Sequence, residues 1–248
     1  MKSWLKLKLY IGLAKPTLTV ILKMISLLIP FKRSLCTAET KRCEVDFFNK
    51  NYKNSWFGLD SAPCCNRHLY EILKALVTKL ESENIDYYIF YGTLLGLVRH
   101  QGGFIPWDTD VDLCIMEKDR DKVQTLIRAN KDWYHHFESV NENWDMLHYS
   151  VTNKVHADIY YMSIDDGYIY LKGYESIQYR HDSIFPTQLV QLYNLEVRAP
   201  ADLTSIKEKY GQDFSTVAYR QYALFQRKTS DFHPAKLAKL DIENDPVK

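Results

Sequence analysis

The chain lacks a charge excess of either sign: 32 Lys and Arg against 31 Asp and Glu leave +1 at pH 7 in 248 residues. That excludes a dedicated binder of nucleic-acid phosphates, which needs a basic surface. Long apolar runs are missing too. Leu5–Pro30 is mostly apolar but is broken by Lys6, Lys8, Lys15, Pro16 and Lys23, and its uncharged run Pro16–Leu22 falls far short of the roughly 20 residues of a spanning helix. No small-residue cleavage site stands out, so a removed signal peptide is not expected. GxSxG, Walker A and GxGxxG motifs are all absent, which sets aside serine-hydrolase, P-loop and dinucleotide-binding chemistry. HExxH is absent as well, and His68, His100, His148 and His156 show no zinc-helix spacing, so they are read as non-ligands. Repeats and low-complexity tracts are lacking.

What is present is globular composition, 46% hydrophobic and 25% charged, which excludes wholesale disorder. The charge is unevenly placed: Met1–Leu35 holds seven basic residues and no acid, leaving 25 basic against 31 acidic residues in the remainder. The pattern divides the chain into a basic apolar segment (1–35), a cysteine-bearing region (36–65), a mildly acidic body (66–225) and a polar, loosely ordered tail (226–248). For residues 1–30 two membrane readings compete, a weak signal anchor and a basic amphipathic helix on a membrane surface. A helix packed on the body is the third. The 18 tyrosines lean towards a surface that reads sugars or polyols.

Leu69, Ile72, Leu73, Leu76, Val77 and Leu80 recur at helical spacing, which predicts an amphipathic helix over about Asn66–Glu83. Tyr87–Tyr91 reads as a strand, Leu94–Arg99 as a short helix, Val111–Met116 as a buried strand and Asp119–Asn130 as a helix. Met146–Val151, Val155–Met162, Tyr168–Leu171 and Leu192–Arg198 read as strands, with a hairpin at Asp165-Asp166-Gly167. Pro200-Ala201-Asp202 opens a helix that Gly211 ends. Mixed elements within one body predict an α+β or α/β domain.

The most informative stretch runs from Tyr91 to Asp112, where Asp108, Asp110 and Asp112 alternate. On a strand, period two puts all three on one face, while Val111, Leu113 and Ile115 anchor the other. Like charges so close are unfavourable unless a cation lies between them, and a few hard oxygen ligands suit Mg²⁺ or Mn²⁺ bridging a substrate's phosphates. Gly92 and Thr93, at the turn before a helix, would let backbone N–H groups approach phosphate, with Arg99 holding another phosphate oxygen. Asp158 is a lone acid in an apolar strand, expected at the same metal or at an attacking hydroxyl. Trp107 would wall the pocket or stack on a base. Cys114 reads as plain core.

The run Gly92-Thr-Leu-Leu-Gly…Arg99-His…Ile105-Pro-Trp-Asp-Thr-Asp-Val-Asp112, with Val155-His-Ala-Asp158-Ile and Leu195-Glu-Val-Arg-Ala-Pro200, resembles the signature of the LicD family. The resemblance implies an α+β fold with a nucleotidyltransferase-like mixed sheet flanked by helices. It also implies transfer of a phospho-alditol or phospho-alcohol group from a CDP-activated donor to a glycan hydroxyl. Asp110 and Asp112 would hold the metal, Asp158 would be a further ligand or the base, and Asp108 would orient the loop or support the metal indirectly. The spacing Cys36-x6-Cys43-x20-Cys64-Cys65 is similar to a four-cysteine zinc loop in the family's ribitol-phosphate branch, for which the donor is CDP-ribitol. Four thiolates can close a structural Zn²⁺ site; disulfides are the alternative in the oxidising lumen of the Golgi or ER that this branch implies. Other CDP donors, a triphosphate-cleaving nucleotidyltransferase and an inactive scaffold remain open.

Overall fold

The computed structural model describes residues 60–134, 136–150, 155–219, 228–230 and 232–237. The expectations for the basic segment 1–35 and for Cys36 and Cys43 lie outside those residues. Among the described residues no helix is long and apolar enough to cross a membrane.

Helix α1, Pro63–Ser82, buries the predicted stripe from Leu69 to Leu80. It starts three residues before the predicted Asn66, because a proline is well accommodated in the first helical turn, where no N–H partner is lost. Cys64 and Cys65 therefore lie in that first turn, both buried. There follow β1 (Tyr87–Ile89), α2 (Tyr91–Arg99), β2 (Asp110–Met116), α3 (Arg120–Ala129), β3 (His136–Asn141), β4 (Trp144–Ser150) and β5 (Val155–Asp165). Next come β6 (Tyr168–Tyr170), β7 (Gln178–Arg180), the single turn α4 (His181–Ile184), β8 (Gln188–Leu192), β9 (Leu195–Ala199) and α5 (Thr204–Tyr210), then the short pair β10 (Ala218–Tyr219) and β11 (Lys228–Thr229).

The main sheet has the order β1-β2-β5-β4-β3, with β6 and β7 extending from the far end of β5. Only β2 and β5 run parallel; the other pairs are antiparallel. This is a mixed α+β sheet flanked by helices. One face carries Val111, Leu113, Ile115, Leu147, Ala157, Ile159 and Tyr161, all fully buried. At about 1.5–3 kcal/mol for each large aliphatic side chain, their burial is what fixes the strand register. Asp145 shares that face and is fully buried, yet it is satisfied: Tyr161 Oη donates to it at 2.6 Å, and Gln124 of α3 donates to both oxygens at 3.1 and 2.9 Å.

The structure departs from the sequence expectations at three places. Leu192–Arg198 is not one strand but the β8–β9 hairpin, turning at Tyr193-Asn194 with Tyr193 at φ 54°. A turn without glycine hides the break, and Tyr193 is held there by its hydroxyl, which accepts from Phe104 N at 3.0 Å and donates to the Ala235 carbonyl at 2.8 Å. Residues 232–237 of the tail are docked rather than loose, since Ala235 is buried and its N–H donates to the Phe104 carbonyl at 3.0 Å. Helix α2 starts at Tyr91, three residues early, so Gly92 and Thr93 lie inside its first turn.

Candidate active site

The parallel β2–β5 pairing sets Asp110 opposite His156 and Asp112 opposite Asp158. Residues directly opposite share a sheet face, so all four side chains leave the core on the same side. His156 Nε2 lies 3.8 Å from Asp110 Oδ2 and 3.6 Å from Asp158 Oδ1. These three residues bring ligand-type atoms within 4.8 Å of one another.

Asp112 is fixed most tightly. Its Oδ2 accepts the N–H of Gly92 at 2.8 Å and of Thr93 at 3.4 Å, while its own N–H donates to Thr93 Oγ1 at 2.7 Å. The carboxylate thus caps α2 from the neighbouring strand, where the helix otherwise has no side-chain cap and where its dipole favours an anion. The N–H groups of Gly92 and Thr93, expected to cradle phosphate, are turned to Asp112 in this structure. Thr93 is buried against β2 rather than open to the pocket. Aiming these N–H groups requires Tyr91 at φ 40°, a left-handed conformation that costs a bulky residue about 1–3 kcal/mol.

Asp108 sits on the loop before β2. Ser61, just ahead of α1, braces that loop: its hydroxyl donates to the Asp108 carbonyl at 2.9 Å and its N–H to the Pro106 carbonyl at 2.6 Å. Burial, then the Asp110 carboxylate, pushes the Asp108 carboxyl well above the usual carboxylate range. Asp112 is raised too, by burial first and then by Asp110 and Asp158, against the pull of the two backbone N–H groups.

Asp158 is nearly buried and is held by groups that sequence reasoning missed. Trp144 Nε1 donates to its Oδ1 at 3.0 Å and Tyr160 Oη to its Oδ2 at 3.3 Å. Trp144 lies opposite Tyr160 across β4–β5, and the rings stack 5.9 Å apart. No motif marks Trp144; only the β4–β5 register brings it to the acid. His156, expected to be a non-ligand, faces the site beside Asp110 and Asp158, as its spacing of two from Asp158 on one strand implies.

Trp144 and Tyr160 line a pocket of about 780 Å³, together with Gly92, Arg99, Trp107, Asp108, Asp110 and Asp112; Asp158 and His156 lie behind that lining. Arg99 is steadied by donating from Nε to His100 Nε2 at 3.2 Å, and His100 in turn uses Nδ1 on the His233 carbonyl at 2.8 Å. Lys209 of α5, also missed, sits 4.0 Å above the Tyr91 ring. Burial lowers both Arg99 and Lys209 from their ordinary values, with Asp108 and Asp112 respectively opposing that shift. Among the described residues lining the pocket, Arg99 and Lys209 are the cations and face four carboxylates: Asp108, Asp110, Asp112 and Asp213.

Residues 84–202 match the sequence profile described as LicD/FKTN/FKRP, nucleotidyltransferase domain. Over those residues the chain is similar to the LicD family. A human relative named ribitol 5-phosphate transferase FKRP is 29% identical over 166 residues, covering 63% of this chain and 32% of that protein. An uncharacterized protein of Rickettsia prowazekii, RP689, is also 29% identical over 166 residues, covering 63% of this chain and 59% of the other. The chain thus spans about a third of the human relative's length. Among solved structures, the lincosamide adenylyltransferase LnuA with bound lincomycin superposes at a TM-score of 0.39 with 16% identity, over 58% of this chain and 95% of that one.

Proposed function

We propose that this chain is a metal-dependent transferase that moves a phospho-alditol group, ribitol 5-phosphate in the favoured case, from a CDP-activated donor to a glycan hydroxyl. The observation that carries the reading is the β2–β5 register, which brings Asp110, His156 and Asp158 within 4.8 Å of one another and sets Asp112 opposite Asp158, beside a pocket with two cations. The family and its ribitol 5-phosphate transferase relative support the choice of group.

The donor set fits a divalent cation such as Mg²⁺ or Mn²⁺. Asp110 offers a carboxylate oxygen, His156 an imidazole nitrogen, and Asp112 the oxygen not engaged by α2, while Asp158, whose oxygens are held by Trp144 and Tyr160, is left for the proton. Bound there, the cation would supply charge neutralisation for the departing CMP. The protein's own residues do the rest. Arg99 and Lys209 bind the diphosphate, Gly92 and Thr93 keep Asp112 in place, and Asp108 holds the loop that presents Asp110. Asp158, oriented by Trp144 and Tyr160, takes the proton of the acceptor hydroxyl as the new phosphoester bond forms and the bond to CMP breaks. Trp107, edge-on to His100 at 5.5 Å, walls the pocket.

Cys64 and Cys65, with Cys36 and Cys43, form the proposed structural Zn²⁺ set, and the chemistry of four thiolates fits that ion. The setting this reading implies is glycan synthesis on the lumenal side of the Golgi or ER, with membrane attachment through residues 1–30. The test is a donor panel of CDP-ribitol, CDP-glycerol and CDP-choline with Mg²⁺ or Mn²⁺, read by CMP release and product mass. Turnover of CDP-ribitol is expected. Pyrophosphate release from a nucleoside triphosphate, with every CDP donor untouched, would overturn the reading.

A further inference from the structure

The two sides of the pocket differ in chemistry. Arg99 and Lys209 come from α2 and α5, accompanied by Tyr210 and Phe214. The lining from β3, β4, β5 and the β6–β7 connection consists of Asn141, Trp144, Tyr160, Leu171, Tyr174 and Ile177, with no charged side chain among them. This neutral side is also open: Tyr174 is 59% exposed and Ile177 44%, and they are two of the five large hydrophobic residues most exposed among the described residues. Isolated exposed apolar side chains need no explanation, but a pair of them at the rim of a catalytic pocket marks a binding surface.

Asp158 belongs to this side through its bonds to Trp144 and Tyr160. A diphosphate would gain nothing from a wall without cations and would meet the acids unshielded. A sugar or polyol suits it. The C–H faces of such a molecule pack against aromatic rings, and its hydroxyls find the few polar groups, here Asn141 and, behind Trp144 and Tyr160, the buried Asp158.

Building on the transferase reading, we propose that Tyr174, Ile177 and Trp144 form the acceptor subsite, which takes an uncharged sugar or polyol ring and presents one hydroxyl to Asp158, while the cationic side takes the donor. The two substrates would then meet at the acids, where in-line displacement needs the acceptor hydroxyl opposite the leaving group. Tyr174 and Ile177 are specificity-determining through the acceptor alone.

The test replaces Tyr174→Ala and, separately, Ile177→Ser, both at exposed positions where the fold tolerates change. With CDP-ribitol as donor and methyl β-galactoside or ribitol as acceptor probe, the acceptor KM is expected to rise about tenfold in Tyr174→Ala, the usual worth of one ring stacking on an aromatic side chain, and about threefold or more in Ile177→Ser, which loses an aliphatic contact. The donor KM should stay within about twofold of the wild type, and kcat at saturating acceptor should hold. A rise in donor KM, or an unchanged acceptor KM, would overturn the subsite. Saturation-transfer NMR of the same acceptor probes, without donor, gives a second readout. Signal that is present in the wild type and weakened in Tyr174→Ala supports the subsite even if every CDP donor fails, whereas equal signal in both refutes it even if the donor is turned over.

Discussion

Adding one methyl group at Gly92 asks whether the acids work only because the backbone beside them has no side chain. A Cβ built there lies 2.8 Å from Asp108 Oδ2 and 3.1 Å from Asp112 Oδ2. Non-bonded contacts to carbon settle near ~3.5 Å, so Asp108 must retreat by roughly half an ångström or more. Asp112 cannot follow freely, because the same Oδ2 is tied at 2.8 Å to the N–H of the substituted residue. On stability the effects oppose each other: alanine is favoured over glycine in a helix by about 1 kcal/mol, while crowding costs about 1–3 kcal/mol. The net loss should be at most about 2 kcal/mol. Chemistry has no such slack, since a small misplacement of a positioned group costs about 10²-fold, or about 2.7 kcal/mol of barrier. Gly92→Ala is therefore expected to remain folded by thermal melting and to release CMP from CDP-ribitol about 100-fold more slowly. Wild-type turnover would refute the reasoning. Gly96→Ala is the contrast: its Cβ meets the Gly103 carbonyl at 2.8 Å and Ile105 N at 3.1 Å, both backbone, so it should destabilise the fold itself.

Three further outcomes are expected. Burial and neighbouring carboxylates hold Asp108 and Asp112 above the ordinary range, so the folded metal-free protein retains protons that the unfolded chain releases. Its stability is thus unaffected below the unfolded pKa of about 4 and falls as pH rises from there towards the folded values. Asp112→Asn should flatten that fall in melts between about pH 4 and 7, and a metal-free wild type that grows more stable across this range would contradict the assignment. Asp158→Asn should bind donor within a few-fold of the wild type by calorimetry yet lose about 10²–10⁴ in turnover; lost donor binding would make Asp158 a metal ligand instead. Purified protein should carry about one zinc per chain, and Cys64→Ser should lower melting temperature along with zinc content, loosening the Ser61 brace on the acid loop. Metal analysis without zinc, together with mapped disulfides, would reject that site.

The sequence by itself determined a good deal. Period-two alternation put Asp110 and Asp112 on one strand face and Val111, Leu113 and Ile115 on the other, and the strand has that form. The apolar stripe of α1 and the turn at Asp166-Gly167 were equally legible, because both are local patterns whose period or turn residues are written in neighbouring positions. Tertiary structure decided what depends on pairing distant segments. The zero-shift register of β2 on β5 joins acids 46 residues apart and brings His156 between Asp110 and Asp158. The neighbouring β4 delivers Trp144 to Asp158, and α5 brings Lys209 over Tyr91. The N–H groups of Gly92 and Thr93 belong to a protein carboxylate here for the same reason: β2 lies beside the start of α2, and a buried charge takes whatever donors the fold sets within reach. Local sequence fixes which face a side chain leaves by; only the packing of remote elements fixes what it meets there.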